Sequence, residues 1–488
     1  MMRANVTSDK EIWPRIIQGG MGVAISGWRL AKAVAQLGFL GVVSGTGLNV
    51  VFAQRLQQGD EGGHLQRALA KFPFPSVAED ILFKHLDAPR SSGRAAVRGV
   101  PMFTVHSSND LLKLTVAANF CEVFLAKEGH SGVVGTNLLE KVQLPNLASL
   151  YGAMLADVDY VLMGAGIPRE IPGVLDKFAR HEAASLKLVV EGAAPDDDLR
   201  ITFDPKVLFG DRLPNLSRPR FIAIVSSDVL AQVLVQKASG SIDGLVVENG
   251  SAGGHNAPPR GALKLSVAGE PIYGPRDQAN IEKIRELGLP FWLAGDYASP
   301  EKLQEALQCG ATGIQVGTDF AFCTESGLAP TLREKTLKKL AADEVAVFTD
   351  PLASSTGFPF KVIQLEGTLS EKAVYDARPR LCQMGLLRRM YKREDGQIGY
   401  RCPGEPVKNY VRKGGNVEDT IGRKCLCNAL MANAGIAQEQ SSGYLEKPLL
   451  TAGDSLKRLK HYFNNGGIDY SASDVITYLL SSPTAMPA

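Results

Sequence analysis

The chain has 488 residues, 45% hydrophobic and 21% charged, with 53 basic against 51 acidic side chains and a formal net charge of +2. This is the composition of a globular protein that can bury a large core, long enough for one domain with extensions or two to three ordinary ones. Balanced charge without a basic stripe argues against nucleic acid and anionic membrane as partners, and no apolar run nears the roughly 18 residues of a membrane span.

The N-terminal "MMRANVTSDKEIWPR" mixes acids and bases and has no apolar secretory core. From there, short runs rich in Val, Ile and Leu alternate with stretches of helical period. "RIIQGG" (15–20) leads into "SGWRLAKAVAQLG" (26–38), then "FLGVVSGT" (39–46). "GVVGTNLL" (132–139) precedes "PNLASLYGAMLADV" (145–158), and "YVLMGAG" (160–166) follows. "FIAIVSS" (221–227), "DVLAQVLVQKAS" (228–239) and "GLVVEN" (244–249) repeat the pattern. "IEKIRELG" (281–288), "PFWLAGD" (290–296), "PEKLQEALQCG" (300–310), "GIQVGT" (313–318) and a helix near 331–343 complete it.

Continuous apolar strands separated by helices indicate a parallel sheet covered on both faces. Eight such strands before residue 320 predict an α/β fold, a (β/α)₈ barrel, with a doubly wound open sheet as the alternative. The barrel is expected over 12–345. Insertions fall at 50–131, which holds helices and the link "DAPRSSGRAAVRG", and at 180–220, which holds "LKLVVEGA" and "PDDD". Beyond 345 the rhythm stops, and 346–488 reads as a C-terminal cap. Seven cysteines spread along the chain suit free thiols in a reducing compartment, so the cytoplasm is the expected location. Cys382, Cys402, Cys425 and Cys427 cluster in the tail at a spacing poorly matched to zinc, and no metal is expected.

Barrels place their chemistry on the loops after the strands. "LAGDYASP" offers Gly295 for close backbone approach and Ser299–Pro300 to open a helix; "QVGT" adds Gly317 and the Thr318 hydroxyl. Together they read as an anion seat of backbone amides. After the sixth strand, "VVENGSAGGHNAPPRG" sets His255 behind two glycines and ahead of two prolines. Bare backbone there admits a flat ligand, and an imidazole suits proton chemistry near neutrality. There is no Gly-x-Gly-x-x-Gly after the first strand, no Gly-x-Ser-x-Gly and no His-Glu-x-x-His.

The ordered set "IIQGGMG", "GTN", "AGGH", "AGD" and "GIQVGT", with "TGFPFK" at 356–361, resembles the nitronate monooxygenases, formerly 2-nitropropane dioxygenases. The resemblance implies an FMN-dependent TIM barrel that oxidises alkyl nitronates with O2. The same fold and the Ala-Gly-Gly-His motif also occur in FMN-dependent enoyl-acyl carrier protein reductases, a resemblance that would imply NAD(P)H and an acyl carrier protein as partners. A flavin-binding protein with little turnover is a third reading, and homo-oligomerisation stays open.

Carried onto this sequence, the resemblance makes His255 catalytic. It assigns Met21, Gly22, Asn137, Glu248, Gly253, Gly254, Gly295, Asp296, Gln315, Val316, Gly317 and Thr318 to the cofactor. Three positions depart from the family pattern: Gly20 for a proline, Ser251 for a glutamate and Asp296 for a glycine. Glu248 also stands where a glutamine is usual. The Asp296 carboxylate would repel a phosphate, so its side chain is expected to point away. His255 is expected either to accept a proton from the carbon beside a nitro group or, protonated, to steady a nitronate.

Overall fold

A computed structural model describes residues 13–86, 99–194, 196–440, 442–464 and 466–482. Most of the link at 87–99 and the first residue of "PDDD" lie outside the described residues, as does residue 12. Eight parallel strands form one sheet: β1 (Ile16–Gln18), β2 (Gly41–Ser44), β3 (Val134–Leu139), β4 (Tyr160–Gly164), β5 (Arg220–Val225), β6 (Gly244–Glu248), β7 (Phe291–Ala294) and β8 (Gly313–Val316). Neighbours in sequence are neighbours in space, and β1 pairs with β8 through Ile16 and Ile314. A parallel bridge between Ile17 and Leu40 closes the ring between β1 and β2. The fold is the predicted barrel, and the open-sheet alternative is excluded by that closure.

Side-chain alternation separates two layers of core. Ile17, Val42, Leu162, Ile222, Val246 and Trp292 point into the barrel and pack together. Ile16, Val43, Val161, Phe221, Leu245 and Leu293 point outward beneath the helices. Trp292 is fully buried, and its indole Nε1 donates to the Pro14 carbonyl at 2.7 Å, which seals the end remote from the site.

The helix Asn109–Lys127 opens on Ser108, whose side chain accepts from the Leu111 amide, and carries Asp110 in its first turn. It crosses the helix Gln143–Leu155 at Gly152, where a Cβ would lie 2.2 Å from the Val116 carbonyl oxygen. Only glycine lets the two backbones approach so closely there. Ahead of it, the helices Leu48–Gln57, His64–Leu69 and Pro75–His85 pack outside the barrel. Phe74 stacks on Phe209 at 4.1 Å, tying this region to the 180–220 excursion.

The C-terminal segment begins with an antiparallel hairpin, β9 (Ala346–Asp350) and β10 (Phe360–Gln364). Further on, Arg389–Lys392 pairs antiparallel with Ile398–Arg401 and parallel with Val190–Glu191, joining the excursion and the tail in one small sheet. The helix Ala472–Leu479, capped by a reciprocal Ser471–Asp474 box, returns to the outer ring beside Trp28–Gln36 and Pro300–Gln308. Leu450, Leu456, Leu459, Val475 and Leu479 belong to the same core cluster as the barrel helices. No described helix is long and apolar enough to cross a membrane.

Candidate active site

The carboxyl ends of the strands open onto a cavity of about 590 Å³. Every residue assigned to catalysis or to the cofactor lines it: Met21, Gly22, Asn137, Glu248, Gly253, Gly254, His255, Gly295, Asp296, Gln315, Val316, Gly317 and Thr318. Nothing from the described part of the β2–β3 insertion does so. The far wall comes instead from the C-terminal segment, through Phe358, Phe360, Leu386, Leu387, Leu426, Leu430 and residues 450–453.

The loop after β1 is held from within. Ser26 Oγ donates to the Gly19 carbonyl (2.9 Å) and accepts from the Met21 amide (2.8 Å), while Gln18 Oε1 accepts from Val42 N (3.0 Å). Gly20 is required by Asn137, since a Cβ at position 20 would lie 2.3 Å from the asparagine Cβ. Asn137 Nδ2 donates to the Gly20 carbonyl at 3.2 Å, but its Oδ1 is buried without a partner, as is Gln315 Oε1. Asn256 Oδ1 and Asp319 Oδ2, on two further lining residues, are buried without partners as well. Orphaned acceptors such as those of Asn137 and Gln315 suit the donor edge of a polar ring, because such groups are costly when left unmade.

The expected anion seat is built differently in part. Gly295 (φ 84°) and Asp296 (φ 61°) both adopt the left-handed conformation, turning the chain sharply along the cavity wall. Asn249 braces this turn by donating from Nδ2 to the Gly295 carbonyl at 3.2 Å. The Asp296 carboxylate is engaged by Arg458 Nη2, which offsets the charge that would repel an anion. Ser299 does not leave its helix open: its Oγ accepts from the Lys302 amide at 3.2 Å, and the cavity wall stops at Ala298. Thr318 Oγ1 accepts from the Gly453 amide at 2.8 Å. A Cβ on Gly253 would sit 2.9 Å from Ala452 C and Gly453 N, so the tail lies directly against the glycine loop.

His255 is fixed by the tail. Its backbone bridges Phe360, the Gly254 carbonyl accepts from Lys361 N (2.9 Å), the Gly254 amide donates to Thr451 Oγ1 (2.7 Å), and Asn256 N donates to the Pro359 carbonyl (2.9 Å). Lys361 is itself anchored by Asp454 at 2.7 Å. The imidazole Nε2 lies 2.7 Å from Ser354 Oγ, which lies 2.7 Å from Thr356 Oγ1. Phe360 meets the ring edge-on at 4.9 Å between centroids.

Burial, with a smaller contribution from the Lys141 ammonium, holds the imidazole well below the usual histidine range. A histidine so placed is neutral at pH 7. An uncharged imidazole has a lone pair free to accept a proton, the first of the two roles expected for it. Burial also pushes the Glu248 carboxyl up to about 7 and the Lys141 ammonium down to about 8, with Glu140 opposing the latter. A carboxyl held neutral can donate a hydrogen bond, as the glutamine expected at that position would.

Lys141, Ser354, Phe358 and Arg458 were not singled out by sequence reasoning. Lys141 stood in plain view, a cation in the loop after the third strand; the other three lie in the tail, far along the chain. Among the described residues no three His, Cys, Asp or Glu side chains converge as a metal site. Cys402, Cys425 and Cys427 are buried free thiols, and Cys382 is half-buried.

No family model matches the chain. A curated protein of Bacillus subtilis (strain 168), described as a probable nitronate monooxygenase, is 30% identical over 134 residues, or 27% of this chain. The match spans 36% of that relative's length. Among solved structures, FabK from Thermotoga maritima aligns with a TM-score of 0.47 at 16% identity, covering 98% of this chain and 96% of that one. A nitroalkane oxidase from Streptomyces ansochromogenes aligns with a TM-score of 0.46 at 14% identity, covering 96% and 95%. At these scores the solved structures add nothing to the barrel read directly from strand order.

Proposed function

We propose that the chain is an FMN-dependent oxidoreductase that oxidises alkyl nitronates with molecular oxygen. The observation that carries the reading is the convergence, in one cavity, of bare glycine loops, orphaned buried acceptors, a turn suited to an anion and a neutral buried histidine. The 30% identity to a probable nitronate monooxygenase supports it.

The residues fit the cofactor. Gly22 and Gly254 leave room for a flat ring, Asn137 Oδ1 and Gln315 Oε1 would accept from its N–H edge, and residues 295–298 with Gly317 and Thr318 would hold the phosphate. Bound FMN supplies the redox chemistry, taking electrons from substrate and passing them to oxygen. The protein's own part is positioning and proton control. With His255 Nε2–H donating to Ser354, the free lone pair of the ring is at Nδ1, which accepts a proton from the carbon bearing the nitro group when substrate arrives as a nitroalkane. Phe358, Phe360 and the leucines of the tail exclude water from that encounter.

The test is the anaerobic visible spectrum of the purified protein, with propyl-2-nitronate in one cell and NADPH in another. Flavin bleaching by the nitronate and none by NADPH is expected. Bleaching by NADPH alone would overturn the reading in favour of a reductase of acyl thioesters, and failure to load any flavin would overturn the cofactor assignment.

A further inference from the structure

Lys141 lies two residues beyond β3 and projects into the cavity wall. Its Nζ is buried and has no hydrogen-bond partner. The ammonium rests over the Phe358 ring, 4.5 Å from the centroid. That same ring meets His255 edge-on at 6.5 Å and 88°. An ammonium has three donors, and burying it with none of them satisfied is strongly unfavourable unless a partner arrives. Phe358 compensates in part, through the negative face of its ring. The donors themselves stay free, on the wall that carries the histidine.

We infer that Lys141 is the anion anchor of the substrate subsite, holding the two-oxygen head of a small organic anion, nitronate or carboxylate, between its ammonium and the His255 imidazole. The aliphatic part of such a ligand has an apolar wall to meet in Leu386, Leu387, Leu426 and Leu430. The arrangement divides two tasks between two residues. Lys141 carries the positive charge, and His255 is left uncharged to move a proton. Of the carboxyls lining this cavity, Glu248 is held toward its neutral form by burial, Asp296 is taken by Arg458 and Asp319 accepts from Tyr462, while the adjacent Glu140 favours the ammonium's charge without hydrogen-bonding its Nζ. The inference deepens the reading given above, since nitronates are anions of this shape, yet its test stands apart from turnover.

The experiment is isothermal titration calorimetry of the flavin-loaded protein at pH 7 with butanoate and with butanamide, a pair alike in shape but not in charge. Wild type is expected to bind butanoate at least tenfold more tightly. Lys141→Met removes the preference and Lys141→Arg keeps most of it, with unchanged circular dichroism in both. Equal binding of the two probes by wild type overturns the inference without any variant. So does a folded Lys141→Met protein that keeps the preference.

The outcome also separates this inference from the nitronate reading. A Lys141-dependent preference, with propyl-2-nitronate leaving the flavin oxidised, upholds the anchor and sinks the nitronate assignment. Flavin reduction by nitronate at an unchanged half-saturation in Lys141→Met does the reverse.

Discussion

Arg378 and Glu446 form an ion pair in which neither side chain is more than 1% exposed. Arg378 donates from both Nε and Nη2 to the carboxylate, the latter at 3.0 Å, and Asn428 Nδ2 lies 3.4 Å from the same group. Through Asn428 the pair ties the start of the strap that carries Leu386 and Leu387 to the helix that carries Leu426 and Leu430, all four lining the cavity. Arg378→Met strands a carboxylate in an apolar interior, and loss of one partner from such a pair costs about 3–5 kcal/mol. Replacing both, as Arg378→Met with Glu446→Leu, removes the stranded charge and returns stability to within about 1 kcal/mol of wild type or above it. Urea unfolding followed by circular dichroism at pH 7 reads both values. A single variant within about 1 kcal/mol of wild type, or a double variant as unstable as the sum of its parts, would refute the argument.

Three further outcomes are expected. Gly20→Ala forces Asn137 aside, costs roughly 1–3 kcal/mol through overpacking, and lowers the flavin retained after gel filtration. Glu248 binds its proton more tightly folded than unfolded, so stability is lost as pH rises from the ordinary carboxyl range through about 7. Glu248→Gln in ligand-free protein should therefore match wild type at pH 4.5 and exceed it at pH 8, by at most about 3 kcal/mol; equal stability at both pH values would refute the assignment. His255→Ala should keep its flavin while turnover of a nitroalkane falls at least about 10²-fold, and Ser354→Ala should lower the same rate less, with unchanged flavin binding.

The barrel was legible because its strands are buried on both faces. A run such as "FIAIVSS" has no polar position to confuse its period, and the strand Arg220–Val225 falls within two residues of it. The site loops were legible as clusters of small residues. What sequence could not convey was pairing over distance. Nothing near Asp296 announces that Arg458 offsets its charge, and nothing near His255 points to Ser354. The sheet that joins Val190–Glu191 to Arg389–Lys392 is held by backbone bonds that carry no side-chain signature. Ser299 misled for a related reason: the residue that marks a helix start also satisfies it, leaving less for a ligand than the motif suggested.

The contacts of Thr451 with Gly254 and of Gly453 with Thr318 have a consequence for how the protein is made. During synthesis the eighth strand is finished roughly 140 residues before these partners are, a lag of about 7–28 s at ordinary elongation rates. A nascent barrel would spend that interval with its histidine loop unfastened and its mouth lacking one wall. A competent site has to wait for residues that lie far beyond the last strand of the barrel.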